Sequence, residues 1–332
     1  MILASNLSMK KLISATLFVF CAFHLLLAST DLASQQLLMT AKRQSDLFQH
    51  DTSSFELDID FLIQLRVPTQ GHLTLKWEAD DRWWRKITTG DFQQTDIRNG
   101  DKLYTSRNAP FTPVQIKELV ELPYFASHLE ELKVQKRKQR VEHGIEISCL
   151  QVQNVRGEQH ELCLDSASNE ILSDEWKAPP DVLHRQQYSD YFDFRGHRYP
   201  HKLEVFVNGI KEITANVGSL TRSPLEQALL TAPEGAIVRR FCSDVKHPVP
   251  VKTPDPIYPQ SARENRLMGD TVVSMKVLAD GSVGNIQLIG SGTHSMDDAT
   301  LQTLKGWRFK PATCGGEPVV SDIEVIVNFR LR

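Results

Sequence analysis

Four cysteines carry the most specific chemistry in this sequence, because they could form disulfides or bind a metal ion. They are Cys149, Cys163, Cys242 and Cys314, while Cys21 lies in an N-terminal apolar run. An even number of cysteines in an exported chain favours disulfides. Cys149 and Cys163 are equidistant from Arg156, at the centre of a predicted turn, so they would face each other on paired strands. Of the three possible connectivities we favour 149–163 with 242–314.

The alternative for these cysteines is a metal site, since four candidate ligands lie close together in the sequence: His143, Cys149, His160 and Cys163. Their spacing matches no zinc-binding pattern, so we predict no metal site. The sequence also lacks a Gly-x-Ser-x-Gly elbow, a His-Glu-x-x-His pair and a phosphate-binding glycine loop. We therefore predict neither enzymatic activity nor a cofactor. Asp297 and Asp298 are interpreted as charges at a helix start.

The N-terminal segment 1–30 indicates export from the cytoplasm. Lys10 and Lys11 precede an uncharged run, residues 12–28, which together are typical of a signal peptide. The alternative is a retained inner-membrane anchor, because 17 residues make about 25 Å of helix, within reach of a thin bilayer. In either case the remaining chain lies outside the cytoplasm.

Length and charge limit the class of protein. The 332 residues suggest two domains. The 38 basic and 41 acidic residues give a formal net charge of -3, which argues against nucleic acid as the main partner. Apolar and charged fractions of 41% and 24% are typical of a globular protein.

Residues 31–240 show the periodicity of a large antiparallel sheet. Apolar side chains occupy every second position over residues 55–67, which predicts a long strand with one buried face. Residues 112–140 change to helical spacing, and the basic run 133–140 has helical composition. Asn208-Gly209 predicts a hairpin turn, whereas His197 and His201 are assigned to a surface loop. The predicted fold is α+β, with a curved antiparallel sheet and a helical insertion.

A proline-rich segment separates this sheet from the C-terminal residues. Residues 248–256 contain four prolines, which favour an extended polyproline conformation. We predict that this segment joins neither a sheet nor a helix, and that residues 241–256 form a linker.

The pattern of residues 257–332 predicts a second, smaller α+β domain. A short helix follows Pro259, and two strands flank a tight turn at Asp280-Gly281. Ser295 is predicted to cap a helix over residues 296–305. The final strand alternates apolar and polar residues, so the expected order is helix, strand, strand, helix, strand.

This C-terminal segment resembles the TonB C-terminal domain over about residues 250–332. The resemblance rests on Tyr258-Pro259, the Asp280-Gly281 turn, Trp307-Arg308-Phe309 with Pro311-Ala312, and the closing residues 328–331 in family order. The N-terminal domain is similar to the LolA/LolB-like half-barrel in the order and style of its strands.

The resemblance implies a periplasmic protein that binds an extended segment of an outer-membrane transporter or another envelope partner by β-augmentation. If this chain binds as the family does, its last strand is the edge that pairs with the partner. The predicted contact residues are then Tyr258, Pro259, Ile323, Glu324, Val325, Ile326, Val327, Asn328 and Phe329. The side chains that face outward (Glu324, Ile326, Asn328 and Arg330) are the candidates for side-chain contact. Trp307 and Phe309 are predicted to be core residues.

Two departures from the family limit what the resemblance implies. The family's anchor has a serine four residues before a histidine, where this chain has Phe20 before His24, so coupling to an inner-membrane motor does not follow. The proline-rich segment spans under about 30 Å, and a 200-residue domain adds about 43 Å, which is short for a periplasmic spacer.

An alternative function is a carrier of a lipid or other apolar ligand, with the C-terminal domain used for docking. An uncovered apolar face formed by Phe55, Leu57, Ile59, Phe61 and Trp77 would favour the carrier. Coverage of that face by the helices of residues 112–140 would favour a spacer.

Overall fold

The computed structural model describes residues 32–50, 52–64, 67–109, 112–142, 144–154, 157–178, 181–242 and 245–331. The predicted signal peptide or anchor lies outside these ranges, as do Arg156 and His143. Two compact units are present, Met1–Arg239 and Arg240–Arg332. In the described part of the chain, we find no helix with the length and apolar character needed to cross a membrane.

The described residues of the first unit form two α-helices, three short 3₁₀ segments and a 13-stranded sheet. Residues 32–45 are helical (α1). The strands are β1 Phe55–Ile63, β2 Thr69–Ala79, β3 Arg82–Thr89, β4 Gln93–Asn99, β5 Lys102–Arg107, β6 Lys133–Glu142, β7 Ile145–Gln153, β8 Gln159–Asp165, β9 Ile171–Ala178, β10 Val182–Phe194, β11 His197–Val207, β12 Ile210–Arg222 and β13 Ile237–Arg240. Their order in the sheet is β13-β5-β4-β3-β2-β1-β12-β11-β10-β9-β8-β7-β6. Strands that are adjacent in the sheet are therefore also neighbours in sequence, except that β1 pairs with β12 and β13 pairs with β5.

The alternation predicted for residues 55–67 forms β1, which is shorter and ends at Ile63. Phe55, Leu57 and Ile59 are fully buried, and β1 pairs antiparallel with both β2 and β12. The predicted hairpin turn at Asn208-Gly209 is confirmed by positive φ angles of 49° and 77° at its two residues, as a type I′ turn requires.

Helices cover the apolar face of this sheet. Helix α2 spans Val114–Glu121, and two 3₁₀ segments follow at Leu122–Tyr124 and Ser127–Glu131. Leu119 and Leu129 are fully buried in the same core cluster as β1. Helix α1 adds further buried apolar side chains to this cluster. All five residues named as the test of a carrier are at most 3% exposed: Phe55, Leu57, Ile59, Phe61 and Trp77.

The prediction that the basic run 133–140 is helical is wrong. These residues lie in β6, which pairs with β7 from Lys133↔Gln153 to Glu142↔Ile145. Lysine and arginine favour helices only weakly, and pairing with a neighbouring strand overrides that preference. The loop predicted around His197 and His201 is also wrong, because both lie in β11 between β10 and β12.

The second unit is a small α+β domain. Its elements are β14 Val249–Lys252, α3 Gln260–Glu264, β15 Gly269–Val277, β16 Val283–Gly290, α4 His294–Leu304, β17 Arg308–Lys310, β18 Ala312–Cys314, β19 Glu317–Val319 and β20 Ser321–Phe329. The three longest strands form a sheet in the order β16-β15-β20, and β14 pairs with β17. Val273, Met275 and Leu304 form the core together with Trp307 and Phe309, which are 9% and 8% exposed.

The proline-rich segment joins a sheet, contrary to our prediction. Val249–Lys252 pairs antiparallel with β17, with an irregular register between Pro250 and Lys252. This is possible because proline lacks only the N–H donor and is tolerated in edge strands. Pro254 also accepts a hydrogen bond of 3.0 Å from the indole of Trp307. The segment therefore packs on the C-terminal domain.

The cap of α4 also differs from our prediction. Thr293, and not Ser295, is the N-cap residue, and its hydroxyl accepts a bond from the backbone N–H of Met296. The helix starts two residues earlier than predicted, at His294. Threonine and serine are both good caps, so composition alone does not choose between them.

Candidate partner-binding edge of the C-terminal domain

The last strand, β20, lies at one edge of the three-stranded sheet. It pairs with β15 without interruption from Ser321↔Val277 to Phe329↔Gly269. Among the described residues, no strand pairs with its other side. An edge strand exposes a row of backbone donors and acceptors to which an extended chain can bind. The predicted contact residues 323–329 therefore share one accessible strand.

The side chains of β20 alternate between core and solvent as the sequence predicts. Ile323 and Val325 pack against the cluster that contains Trp307, and Phe329 is buried in a second cluster with Ala262. Glu324, Ile326 and Asn328 are exposed. Ile326 is 54% exposed. The outer face thus presents an apolar centre beside polar groups.

Tyr258 and Pro259 lie beside the C-terminal end of β20. The ring of Tyr258 contacts the ring of Phe329 edge-on, with centroids 5.5 Å apart. Its hydroxyl donates to the carbonyl of Leu267, and the guanidinium of Arg263 lies 5.8 Å from its ring centroid. Pro259 is the N-cap residue of α3. The structure thus brings both predicted residues to one end of the strand.

Two ion pairs flank the apolar centre. Lys276 donates to Asp322 at 2.9 Å near the start of β20. Arg330 approaches Asp270 at 2.8 Å just beyond its end. Ile326 lies between them, opposite Val272 on β15. Of these four charged residues the sequence pointed only to Arg330, because the ion pairs themselves depend on the β15–β20 register.

The turn between β15 and β16 is held by Asp280. The hydroxyl and the backbone N–H of Ser282 both donate to its carboxylate, at 2.6 and 2.9 Å. These bonds lower the pKa of Asp280. Gly281 follows with a φ of 80°, and its carbonyl accepts a bond from Phe309. The predicted Asp280-Gly281 turn thus connects the sheet to the Trp307-Arg308-Phe309 segment.

The cysteines form two disulfides, Cys149–Cys163 and Cys242–Cys314, with Cα–Cα distances of 4.0 and 5.6 Å. This is the pairing that the sequence favoured. Glu161 lies near the first pair, but bonded sulfurs are not thiolate ligands. His160 instead contacts the carboxylate of Asp174 at 3.0 Å. Of the four ligands considered for a metal site, Cys149, Cys163 and His160 are therefore engaged in other interactions, and His143 lies outside the described residues.

A cleft of about 590 Å³, lined by both polar and apolar side chains, lies on the first unit. Its carboxylates belong to Glu161 and Glu175, which are directly opposite each other on β8 and β9. Arg140 pairs with Glu161 at 3.2 Å, and Arg185 pairs with Glu175 at 2.5 Å. Both carboxylates therefore act in ion pairs of the sheet surface.

Comparisons with known proteins agree on the second unit. Residues 254–331 match the family model described as Gram-negative bacterial TonB protein C-terminal. Protein TonB of Vibrio cholerae is 32% identical over 78 residues, which cover 23% of this chain and 32% of that protein. The chain thus spans about a third of the length of the curated relatives it matches.

Two solved structures are similar to part of the chain. The solution structure of the Pseudomonas aeruginosa TonB C-terminal domain is 28% identical and covers 27% of this chain and 89% of that one, with a TM-score of 0.24. A LolA superfamily protein from Nitrosomonas europaea is 10% identical and covers 59% of this chain and 96% of that one, with a TM-score of 0.45. The family match and the similarity to TonB proteins identify residues 254–331 as a TonB-type C-terminal domain.

Proposed function

We propose that the C-terminal domain binds an extended segment of an outer-membrane transporter, or of another envelope partner, by strand addition to β20. In this way the protein would support TonB-dependent transport. The observation that carries this proposal is the accessible edge of β20, which has Ile326 exposed at its centre and Tyr258 at its end.

Strand addition suits this edge for two reasons. Backbone hydrogen bonds supply affinity without regard to sequence, and side chains at alternate positions supply selectivity. Ile326 offers apolar contact, while Glu324 and Asn328 offer polar contact on the same face. We therefore expect the preferred segment to place an apolar residue near Ile326.

For the N-terminal domain we favour a spacer or partner-binding role over a ligand carrier. A carrier needs an apolar surface that a ligand can reach, whereas the apolar face of this sheet is covered by its helices.

We also propose a periplasmic location. The mass of the mature protein tests this: loss of about thirty residues indicates a cleaved signal, and an intact, membrane-bound chain indicates an anchor.

The binding test uses the full exported chain and fluorescent peptides made from the N-terminal periplasmic segments of the host's outer-membrane transporters. We expect Ile326→Lys to weaken binding of the preferred peptide at least tenfold. Leu288→Lys is the matched control, because Leu288 is 37% exposed on β16, at the opposite edge of the same sheet. Equal losses for both variants, or no binding to any peptide, would contradict the proposal.

A further inference from the structure

Strand β6 is a second exposed edge, at the end of the 13-stranded sheet. In the part of the chain that the structure describes, it pairs only with β7. Of its ten residues only Val134 is buried, and the register is regular from Lys136 to Glu142. Seven consecutive residues thus present a strand edge to which another chain can add.

The basic side chains of β6 are ordered by the register. Lys136, Lys138 and Arg140 lie opposite Gln151, Cys149 and Ile147. These positions are two residues apart, so the three cations share one face of the sheet. Arg137 lies on the other face, where it donates to the Ser148 hydroxyl at 2.9 Å.

The row keeps positive charge after its ion pairs are counted. Arg140 contacts Glu142 and Glu161 at 2.6 and 3.2 Å, and Lys138 lies 4.0 Å from Glu161. Lys136 has no carboxylate partner among the described residues. Three cations therefore meet two carboxylates in a chain whose formal net charge is -3.

We infer that β6 is a docking edge for an extended protein segment with acidic side chains at alternate positions. A strand added along β6 would place every second side chain opposite Lys136, Lys138 or Arg140, where opposite charges stabilise cross-strand pairs. The backbone edge would supply affinity, and the cationic row would select the segment and its register.

The neighbouring surface favours a peptide over an anionic membrane. Beyond the cationic row, the same face carries Glu161 and Glu175, whose carboxylates pair with Arg140 and Arg185, so it offers no wide basic area to anionic headgroups. A single extended chain along β6 needs only the row itself. This edge also differs from β20, whose exposed side chains include Asp322 and Glu324. The inference is thus independent of the function proposed for β20.

The test uses the full exported chain and a labelled ten-residue peptide of alternating Glu and Thr. We expect binding that Lys136→Glu weakens about five- to tenfold, because it reverses one cross-strand charge pair. Lys102→Glu is the matched control, since Lys102 is exposed on β5, which lies between β4 and β13. Both side chains are exposed, so both variants should fold, and equal urea unfolding curves would establish this.

Three further probes distinguish strand addition from simple charge attraction and from binding to a membrane surface. A block peptide of five Glu and five Thr should bind more weakly, and methylation of the backbone nitrogens at the Glu or at the Thr positions should abolish binding for at least one set. Unchanged binding of both methylated peptides would overturn the proposal in favour of simple charge attraction. Binding to phosphatidylglycerol vesicles without binding to the alternating peptide would overturn it in favour of a membrane surface. No binding to any probe would mean that the basic residues only protect the edge.

Discussion

Asp297 illustrates how one buried side chain organises the C-terminal domain. It lies in the first turn of α4 and is 4% exposed. Its carboxylate accepts bonds from the hydroxyls of Thr271 and Ser291 and from the N–H of Gly292, at 2.8, 2.5 and 3.2 Å. A helix-start charge, as the sequence suggested, is only part of this role.

We expect Asp297→Ala to lower the unfolding free energy of this domain by about 2–4 kcal/mol, because three donors lose a charged acceptor. The measurement is hydrogen exchange of the β15 and β20 amides in the full protein. Asp298→Ala changes an exposed residue of the same helix and is the control. It should change the unfolding free energy of the domain by less than about 0.5 kcal/mol. Similar effects of both variants would argue against the network.

His160 gives the first unit a pH dependence. Burial lowers the pKa of His160, but the hydrogen bond and charge of Asp174 outweigh burial and raise it above 6.5. Burial raises the pKa of Asp174, but the ring of His128 at 3.9 Å and the hydrogen bond from His160 outweigh burial and hold this pKa below 3.8. The contribution of His160 is complete below pH 6.5 and is lost as the pH rises through its folded pKa. The contribution of Asp174 is present above pH 3.8 and is lost below it.

We therefore expect His160→Gln to destabilise the first unit more at pH 5.5 than at pH 8.5. Urea unfolding of the wild-type protein and the variant at the two pH values measures this destabilisation. Subtracting the unfolding free energy of the variant from that of the wild type at each pH removes the effect of other histidines. A destabilisation that does not change with pH would show that the His160–Asp174 pair is not the cause.

At the scale of elements, the β15–β16 turn depends on a glycine. A Cβ atom at Gly281 would lie 2.0 Å from the carbonyl oxygen of Phe309, and its φ of 80° disfavours other residues. Gly281→Ala should therefore lower the unfolding free energy by more than about 2 kcal/mol, since the backbone must shift. Gly316→Ala is the control, because Gly316 has a φ of 87° but open space around it. Gly316→Ala should lower the unfolding free energy by about 1 kcal/mol. Unfolding in urea compares the two, and equal costs would contradict the steric argument.

At the scale of the whole molecule, each disulfide lies within one compact unit. The Cys242–Cys314 bond joins residues 72 apart, so the chain-entropy model assigns it about 4 kcal/mol. Replacing both cysteines with serine should lower the stability of the second unit by up to that amount and leave the first unchanged. Replacing Cys149 and Cys163 should do the reverse, with about 3 kcal/mol. Hydrogen exchange resolved by segment measures both, and a loss of protection in both units from either change would contradict this independence.

The sequence by itself determined the features that depend on local chemistry. Alternation along β20 placed Ile326 outside and Val325 inside, because strand side chains point to opposite faces in turn. Asn208-Gly209 fixed a hairpin, because few residue pairs accept two positive φ angles. The equal spacing of Cys149 and Cys163 around a turn placed them opposite each other.

Only the tertiary structure decided the features that depend on residues far apart in the chain. Pairing with β17 drew Pro250 into a sheet. The position of β20 at an edge follows from the strand order, which local periodicity does not encode. Asp297 acquired its partners because folding brings β15 to the start of α4. In each case the deciding interaction joins segments that are far apart in the chain, so the local preference of either segment does not predict it.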